Sequence, residues 1–140
     1  MKETIVVDTN ILLSALISDS KTREIVVNIE NQLVAPEAIY QEINKYRDLI
    51  RDKAGINEEE LDELLDRLFK HIQIVSNDKI KSEKTKADQE LKEVDKDDTI
   101  FLAAAIAVEG VIWSDDKDLQ KQDLVEVYTT EEILELVYRR

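Results

Sequence analysis

The sequence predicts an α/β sandwich with a mainly parallel sheet. Short β-branched runs such as Ile5–Val7 alternate along the chain with segments of helical apolar spacing. Residues 99–108 are apolar nearly all round, which is typical of a helix packed against the centre of a sheet. The chain has 140 residues, the length of one domain, and we therefore expect a single domain over residues 1–140.

Five short apolar runs predict the strands, at 5–7, 33–35, 72–75, 111–113 and 125–127. The first strand runs through Asp8, Thr9 and Asn10 into an apolar helix that ends near Ile17, and a second short helix contains Ile25, Val26 and Ile29.

Pro36 is predicted in the first turn of the third helix, because its missing N–H costs no hydrogen bond there. The spacing of Ile39, Ile43 and Tyr46 gives this helix an apolar face, and Glu42 lies beside it. The following segment, 47–57, is polar and contains Gly55.

Capping residues mark two further helices. Asn57 is predicted to cap an amphipathic helix that reaches Ile72, and Thr129 with Glu132 forms a capping box for the last helix. Residues 76–97 are almost all charged or polar, and they predict an exposed helix or a helical linker.

The composition excludes several kinds of site. The chain has no cysteine, two glycines and one histidine, His71, which excludes thiol nucleophiles, Cys–zinc sites, His-rich metal sites and glycine-rich phosphate loops. Its 32 acidic and 19 basic residues give a net charge of −13, which repels nucleic acid unless something intervenes. We expect a cytoplasmic protein, since no apolar run has the length of a membrane span or a signal peptide.

Acidic side chains follow or precede several predicted elements. Asp8 follows the first strand, and Glu42 lies in the helix after the second. Asp115, Asp116 and Asp118 follow the strand at 111–113, and Asp95, Asp97 and Asp98 precede the apolar helix. Ligand sites of parallel sheets lie beyond the carboxyl ends of the strands. Converging carboxylates repel one another unless some are protonated or a cation neutralises them, and oxygen ligands without His or Cys select Mg²⁺ or Mn²⁺. The pattern therefore points to metal-assisted phosphodiester hydrolysis.

Each of these residues also has a structural interpretation. Asp98 fits a helix N-cap, Asp116 a solvated turn, and Glu42 an exposed helix face. The combination is more informative than any member, because all of them fall at the ends of elements associated with the sheet. His71 is predicted to be at the surface or structural, and Trp113 to be in the core.

Three motifs resemble those of the PIN domain family. The run from Ile5 through Asp8-Thr9-Asn10 resembles the family's opening strand and helix, and Asp95-Lys-Asp-Asp98 before Thr-Ile-Phe-Leu resembles its third acidic motif. Ser114-Asp115-Asp116-Lys-Asp118 resembles its closing motif, and the segment from Pro36 to Ile43 is similar to the one that holds the family's Glu. The order and spacing match over essentially the whole chain.

The resemblance implies a three-layer α/β/α fold and a nuclease that cleaves single-stranded RNA with Mg²⁺ or Mn²⁺. Carried over by position, the implied metal ligands are Asp8, Glu42, Asp98 and Asp116. Asn10 would support a ligand or orient water, and Ser114 would orient Asp116. Asp95 or Asp97 could replace Asp98, and whether Asp118 also binds metal is left open.

The resemblance extends to the VapC toxins, which dimerise and are inhibited by an antitoxin. It thus implies an antitoxin partner and a homodimer, unless the chain is a stand-alone nuclease of the same family. Two further functions compete with the nuclease, namely a non-catalytic PIN-fold interaction module and phosphoryl transfer through Asp8. Asn10 argues against phosphoryl transfer, because such phosphatases place a second Asp at that position. The basic residues Lys21, Arg23, Lys45, Arg47, Arg51 and Lys53 either contact RNA phosphates or form a salt-bridged face.

Overall fold

The computed structural model describes residues 3–17, 21–90 and 96–138, and the side chains of these residues except 84–90 and 96–97. In chain order the elements are β1 (Ile5–Val7), α1 (Thr9–Ile17), α2 (Lys21–Asn28), β2 (Leu33–Pro36), α3 (Ile39–Lys45), α4 (Arg47–Ala54), α5 (Glu58–Phe69), β3 (Ile72–Val75), α6 (Asn77–Glu90), α7 (Lys96–Ala107), β4 (Val111–Trp113), α8 (Lys117–Gln120), β5 (Val127–Tyr128) and α9 (Thr130–Tyr138).

The five strands form one sheet in the order β3-β2-β1-β4-β5, and every neighbouring pair is parallel. The register places Val7 opposite Trp113, so that β1 and β4 end side by side. The chain proceeds outward from β1 to β3, then returns to β4 on the other side of β1. The strand order therefore reverses between β1 and β4, which is where a parallel sheet opens a crevice for ligands.

Helices cover both faces of this sheet. Crossovers between parallel strands are right-handed. Helices α1–α5 connect strands in the direction from β1 to β3, and α6 and α7 connect β3 back to β4, so the two groups lie on opposite faces of the sheet. Helix α7 packs on β1, β2 and β4, and α6 packs on α7. All residues of β1 and residues 101–105 of α7 are buried. The predicted parallel α/β architecture with three layers is confirmed.

Helix α5 begins as predicted, since Asn57 forms a complete capping box with Glu60. It ends at Phe69 and not at Ile72, because Ile72 starts β3 and pairs with Leu33. The polar segment before it contains α4, a helix that the sequence pattern did not predict. Gly55 ends α4 in the left-handed region, at φ 68°, a conformation that favours glycine.

The prediction that Pro36 lies in a helix is wrong. Pro36 is the last residue of β2, opposite Val75, and the main-chain N–H of Glu37 donates to Val75 O at 2.9 Å. The parallel ladder therefore continues past the proline through the next residue, and α3 begins only at Ile39. Tyr46, predicted on the apolar face of this helix, ends it and is exposed.

The last strand also differs from its prediction at 125–127, because β5 is Val127–Tyr128. The side-chain amide of Gln122 forms hydrogen bonds with both the C=O and the N–H of Val125. Gln122 Nε2 donates to Val125 O at 2.6 Å, and Val125 N donates to Gln122 Oε1 at 3.0 Å. Val125 is therefore engaged with Gln122 and does not join the sheet.

The long polar stretch predicted as exposed helix or linker contains α6 and the start of α7. Asp95 lies outside the described residues. Among the helices in the described ranges, none is long and apolar enough to cross a membrane.

Candidate metal-binding and active site

Asp8 lies directly after β1, and the residue is 5% exposed. Its Oδ1 accepts the main-chain N–H of Ile11 at 2.9 Å, which caps the start of α1. The positive end of the helix dipole favours a carboxylate here. Asp8 N donates to Trp113 O at 3.4 Å, so Asp8 is tied to the end of β4 as well. The local sequence thus fixes a buried carboxylate at the crevice.

Ser114 connects Asp8 with the loop after β4. It is fully buried, and its hydroxyl donates a hydrogen bond to the Asp8 carboxylate. Its Oγ also accepts the main-chain N–H of Asp116 at 3.0 Å. Asp116 in turn caps α8, because its Oδ1 accepts the N–H of Asp118 at 2.8 Å. One serine therefore contacts both the Asp8 carboxylate, which follows β1, and the main chain of Asp116, which follows β4.

The charge on Asp8 is costly in this position. Burial raises the pKa of Asp8, and the negative charges of Asp116 and Asp115 raise it further. The hydrogen bonds from Ser114 and Ile11 act in the opposite direction, but they do not outweigh the burial. A positive charge beside Asp8 would stabilise its ionised form.

The other predicted site residues come from different elements. Glu42 is in α3 with 17% of its side chain exposed, and its Oε1 lies 2.9 Å from Lys45 Nζ. Asp98 is partly exposed in the first turn of α7, and Asn10 is exposed in the first turn of α1. The side chain of Asp97 lies outside the described part of the structure.

Among the described residues, no three His, Cys, Asp or Glu side chains form a group that could hold a metal ion. Asp8 and Asp116 are brought together through Ser114, whereas Glu42 is engaged with Lys45. The donors nevertheless fit a hard cation, since they are carboxylate oxygens and one of them is buried with its charge opposed by its surroundings.

Four of the basic residues considered for phosphate contact are engaged within the chain, and one of them is Lys45, which pairs with Glu42. Arg23 donates to the carbonyl oxygens of Ala15 and Leu16, at 2.6 and 3.2 Å. Arg47 pairs with Glu58 and Asp62, and Arg51 pairs with Asp48 and Glu58. These contacts favour the salt-bridged interpretation of Arg47 and Arg51.

The predictions for two isolated residues are confirmed, since His71 is exposed and Trp113 is fully buried. Thr130 is a residue whose role was not predicted from the sequence. It follows Thr129, which forms the predicted capping box with Glu132, and it contacts both Trp113 and Asp115. The only signal in the sequence is a second hydroxyl residue at the start of the helix.

The model of the PIN domain family matches residues 6–137, and the chain therefore belongs to this family, whose members are generally nucleases. No curated protein sequence matches the chain significantly.

Two solved structures share the fold. One is VapBC2 from Rickettsia felis bound to a DNA fragment from their promoter, at 16% identity and a TM-score of 0.70, covering 90% of this chain and 98% of that chain. The other is a toxin–antitoxin complex from Klebsiella pneumoniae, at 16% identity and a TM-score of 0.66, covering 89% and 96%. At this identity the likeness concerns the fold.

Proposed function

We propose that the chain is a single-domain endoribonuclease, over residues 1–140, that hydrolyses phosphodiester bonds of single-stranded RNA in the cytoplasm with Mg²⁺ or Mn²⁺. Asp8, Glu42, Asp98 and Asp116 are the proposed metal ligands, and Asn10 and Ser114 are the polar residues that support them. The observation that carries the proposal is the buried Asp8 carboxylate, which is linked through Ser114 to Asp116 where the strand order reverses.

A bound cation would stabilise the ionised form of Asp8, which burial and two neighbouring carboxylates oppose. Oxygen donors of this kind favour Mg²⁺ and Mn²⁺ over the softer transition metals. When bound, such an ion supplies a water of lowered pKa and stabilises the charge that develops on the phosphate.

The chain's own residues hold the donors in place. The Ile11 N–H and the Ser114 hydroxyl orient the Asp8 carboxylate, and the Ser114 Oγ fixes the main chain at Asp116. Glu42 is in contact with Lys45, so that cation binding at Glu42 competes with this ion pair.

The acidity of the chain limits how RNA binds. A divalent ion among the four carboxylates offsets part of the net charge of −13, at the point where the phosphate must approach. The rest of the acidic surface still repels the backbone, so we expect binding to be localised and sensitive to salt.

We also propose an antitoxin protein as a partner, and a homodimer as the assembled form. The support for the antitoxin is the shared fold with VapBC2 and with the Klebsiella pneumoniae toxin–antitoxin complex. Co-expression with the product of a neighbouring reading frame, followed by size-exclusion chromatography with light scattering, tests both points.

The decisive test is cleavage of a panel of single-stranded RNAs with Mn²⁺ or Mg²⁺ by the wild type and by Asp8→Asn. Asparagine keeps the size of the side chain and an oxygen to accept the Ile11 N–H, while it removes the charge. Glu131→Gln, which removes an exposed charge from α9, is the control and should cleave like the wild type. A wild type that is inert on all RNAs, or an equally active Asp8→Asn, contradicts the proposal.

A metal titration separates the nuclease from the non-catalytic interaction module. The nuclease requires Mn²⁺ binding that Asp8→Asn weakens, whereas the module predicts no such binding at millimolar concentrations.

A further inference from the structure

The loop after β4 is fastened to the start of α9 by the side chain of Asp115. Its Oδ1 accepts the main-chain N–H of Thr130 at 2.7 Å, and its Oδ2 accepts the Thr130 hydroxyl at 2.7 Å. Both carboxylate oxygens therefore have a donor, and hydrogen bonds to an ionised acceptor are stronger than neutral ones. Asp115 is thus engaged with α9, whereas its neighbour Ser114 is engaged with Asp8.

The Thr130 hydroxyl has a defined direction. Its oxygen accepts the indole Nε1–H of Trp113 at 2.9 Å, and an indole nitrogen only donates. The hydroxyl proton is therefore left for Asp115. Because Trp113 is fully buried, this chain of hydrogen bonds anchors the exposed Asp115 to the core.

The residues on either side of Asp115 are also fixed by hydrogen bonds. The Ser114 N–H donates to Tyr128 O at 3.0 Å, and the Asp116 N–H donates to Ser114 Oγ at 3.0 Å. Asp115 is the residue between these two. Asp115 shares one peptide unit with Ser114 and the next with Asp116, so its orientation is coupled to theirs.

We propose that Asp115 and Thr130 are positioning residues, which hold the Ser114–Asp116 turn against Asp8 and thereby set the affinity of this edge for a divalent cation. Neither residue ligates the cation, since the Asp115 oxygens are already bonded to Thr130. This inference rests on the proposed metal-dependent function.

A simple charge effect has to be separated from positioning. Asp115→Asn removes a negative charge near Asp8, which by itself weakens cation binding. Thr130→Val removes the hydroxyl but keeps every charge, the β-branched shape and the main-chain N–H. Thr130→Ser restores the hydroxyl, and Glu131→Gln removes an exposed charge from the same helix turn, in which the hydrogen bonds to Asp115 come from Thr130.

The experiment measures two quantities in each purified variant. The first is Mn²⁺ affinity by titration calorimetry. The second is the amide proton shift and hydrogen exchange of Asp116 by NMR in metal-free protein, with thermal melting as a check that each variant is folded.

For Thr130→Val we expect about tenfold weaker Mn²⁺ binding, the size of effect that residues supporting a ligand have. We also expect a shifted and faster-exchanging Asp116 amide. Thr130→Ser should resemble the wild type in both measurements, and so should Glu131→Gln. A folded Thr130→Val that binds Mn²⁺ with wild-type affinity overturns the proposal. This holds even if Asp115→Asn binds Mn²⁺ weakly, because the lost charge alone then accounts for the weaker binding of Asp115→Asn.

The metal-free measurement keeps this proposal separate from the proposed function. If the wild type binds no Mn²⁺, the metal-dependent function fails. The amide proton shift and hydrogen exchange of Asp116 then test the turn alone. A change in Thr130→Val supports the positioning of the Ser114–Asp116 turn by Thr130, and unchanged values overturn that positioning.

Discussion

The Ser114 hydroxyl donates a hydrogen bond to the buried carboxylate of Asp8, so that the residues following β1 and β4 are joined at the point where the strand order reverses. Since the main-chain N–H of Asp116 donates to the same Ser114 oxygen, one serine contacts two aspartates that are 108 positions apart in the sequence. The properties of Asp8 follow from this arrangement and can be measured.

Replacing Asp8 by Asn should reduce RNA cleavage by at least about a hundredfold, the upper end of the loss when a residue supporting a metal ligand is removed. The cause is the loss of a charged oxygen donor, while the cap on Ile11 is retained. Initial rates at saturating Mn²⁺ measure the effect. Cleavage within a few-fold of the wild type would contradict the role of Asp8.

Mn²⁺ should stabilise the wild type and not Asp8→Asn. A cation that binds only the folded chain adds about 2.7 kcal/mol to the free energy of unfolding at about 100 times its Kd. Thermal melting with Mn²⁺ and then with excess EDTA measures the gain and its removal. An equal gain in both proteins would assign the stabilisation to other carboxylates.

The stability of the metal-free protein should depend on pH through Asp8. Burial raises the pKa of Asp8 in the folded chain, and repulsion by Asp116 and Asp115 adds to it. The folded state therefore favours the protonated carboxyl. This contribution is fully present below the unfolded pKa and is lost as pH rises through the folded pKa.

As the pH rises above about 4, the wild type should consequently lose unfolding free energy relative to Asp8→Asn, which has no carboxyl group at this position. Urea unfolding of both proteins over a series of pH values measures this difference, in which the shared contributions of other carboxylates cancel. A difference that is independent of pH would contradict the raised pKa.

Asn57→Ala should lower the free energy of unfolding by about 1 kcal/mol, because it removes one half of the capping box at the start of α5. Urea denaturation measures the loss. RNA cleavage below the melting temperature should be unchanged, and a selective loss of activity in a fully folded variant would argue against a purely structural cap.

The two glycines should respond differently to alanine. At Gly110 an added Cβ would lie 2.3 Å from the carbonyl oxygen of Thr4, so the backbone next to β1 must move, at a cost of about 1–3 kcal/mol. At Gly55 the Cβ meets no atom within 4 Å, and the cost of about 1 kcal/mol comes from the positive φ. Denaturation of both variants in parallel checks the order, and a larger loss for Gly55→Ala would contradict it.

Much of the fold could be predicted because its signals are local. The β-branched run of β1, the apolar surface of α7 and the cap at Asn57 are visible within a few residues. Pro36 and Val125 were misassigned because their roles depend on distant partners. Pro36 is held in the ladder beside Val75, and Val125 is removed from the sheet by the amide of Gln122.

The candidate site shows the same division. The sequence by itself determined which carboxylates are available. It also determined that the chain has no cysteine and a single histidine, and the structure shows that this histidine is exposed. The sequence also determined the family, because the motifs are short and their order is fixed along the chain.

Only the tertiary structure decided which of those carboxylates meet. Strands β1 and β4 are neighbours although more than a hundred residues separate them, and the parallel ladder ends them at the same level. Asp8 is therefore buried beside Ser114, whose hydroxyl oxygen also accepts the main-chain N–H of Asp116. The Asp115 carboxylate is instead bonded to Thr130. Composition cannot distinguish Asp115 from Asp116, because the difference lies in which helix or strand end each side chain contacts.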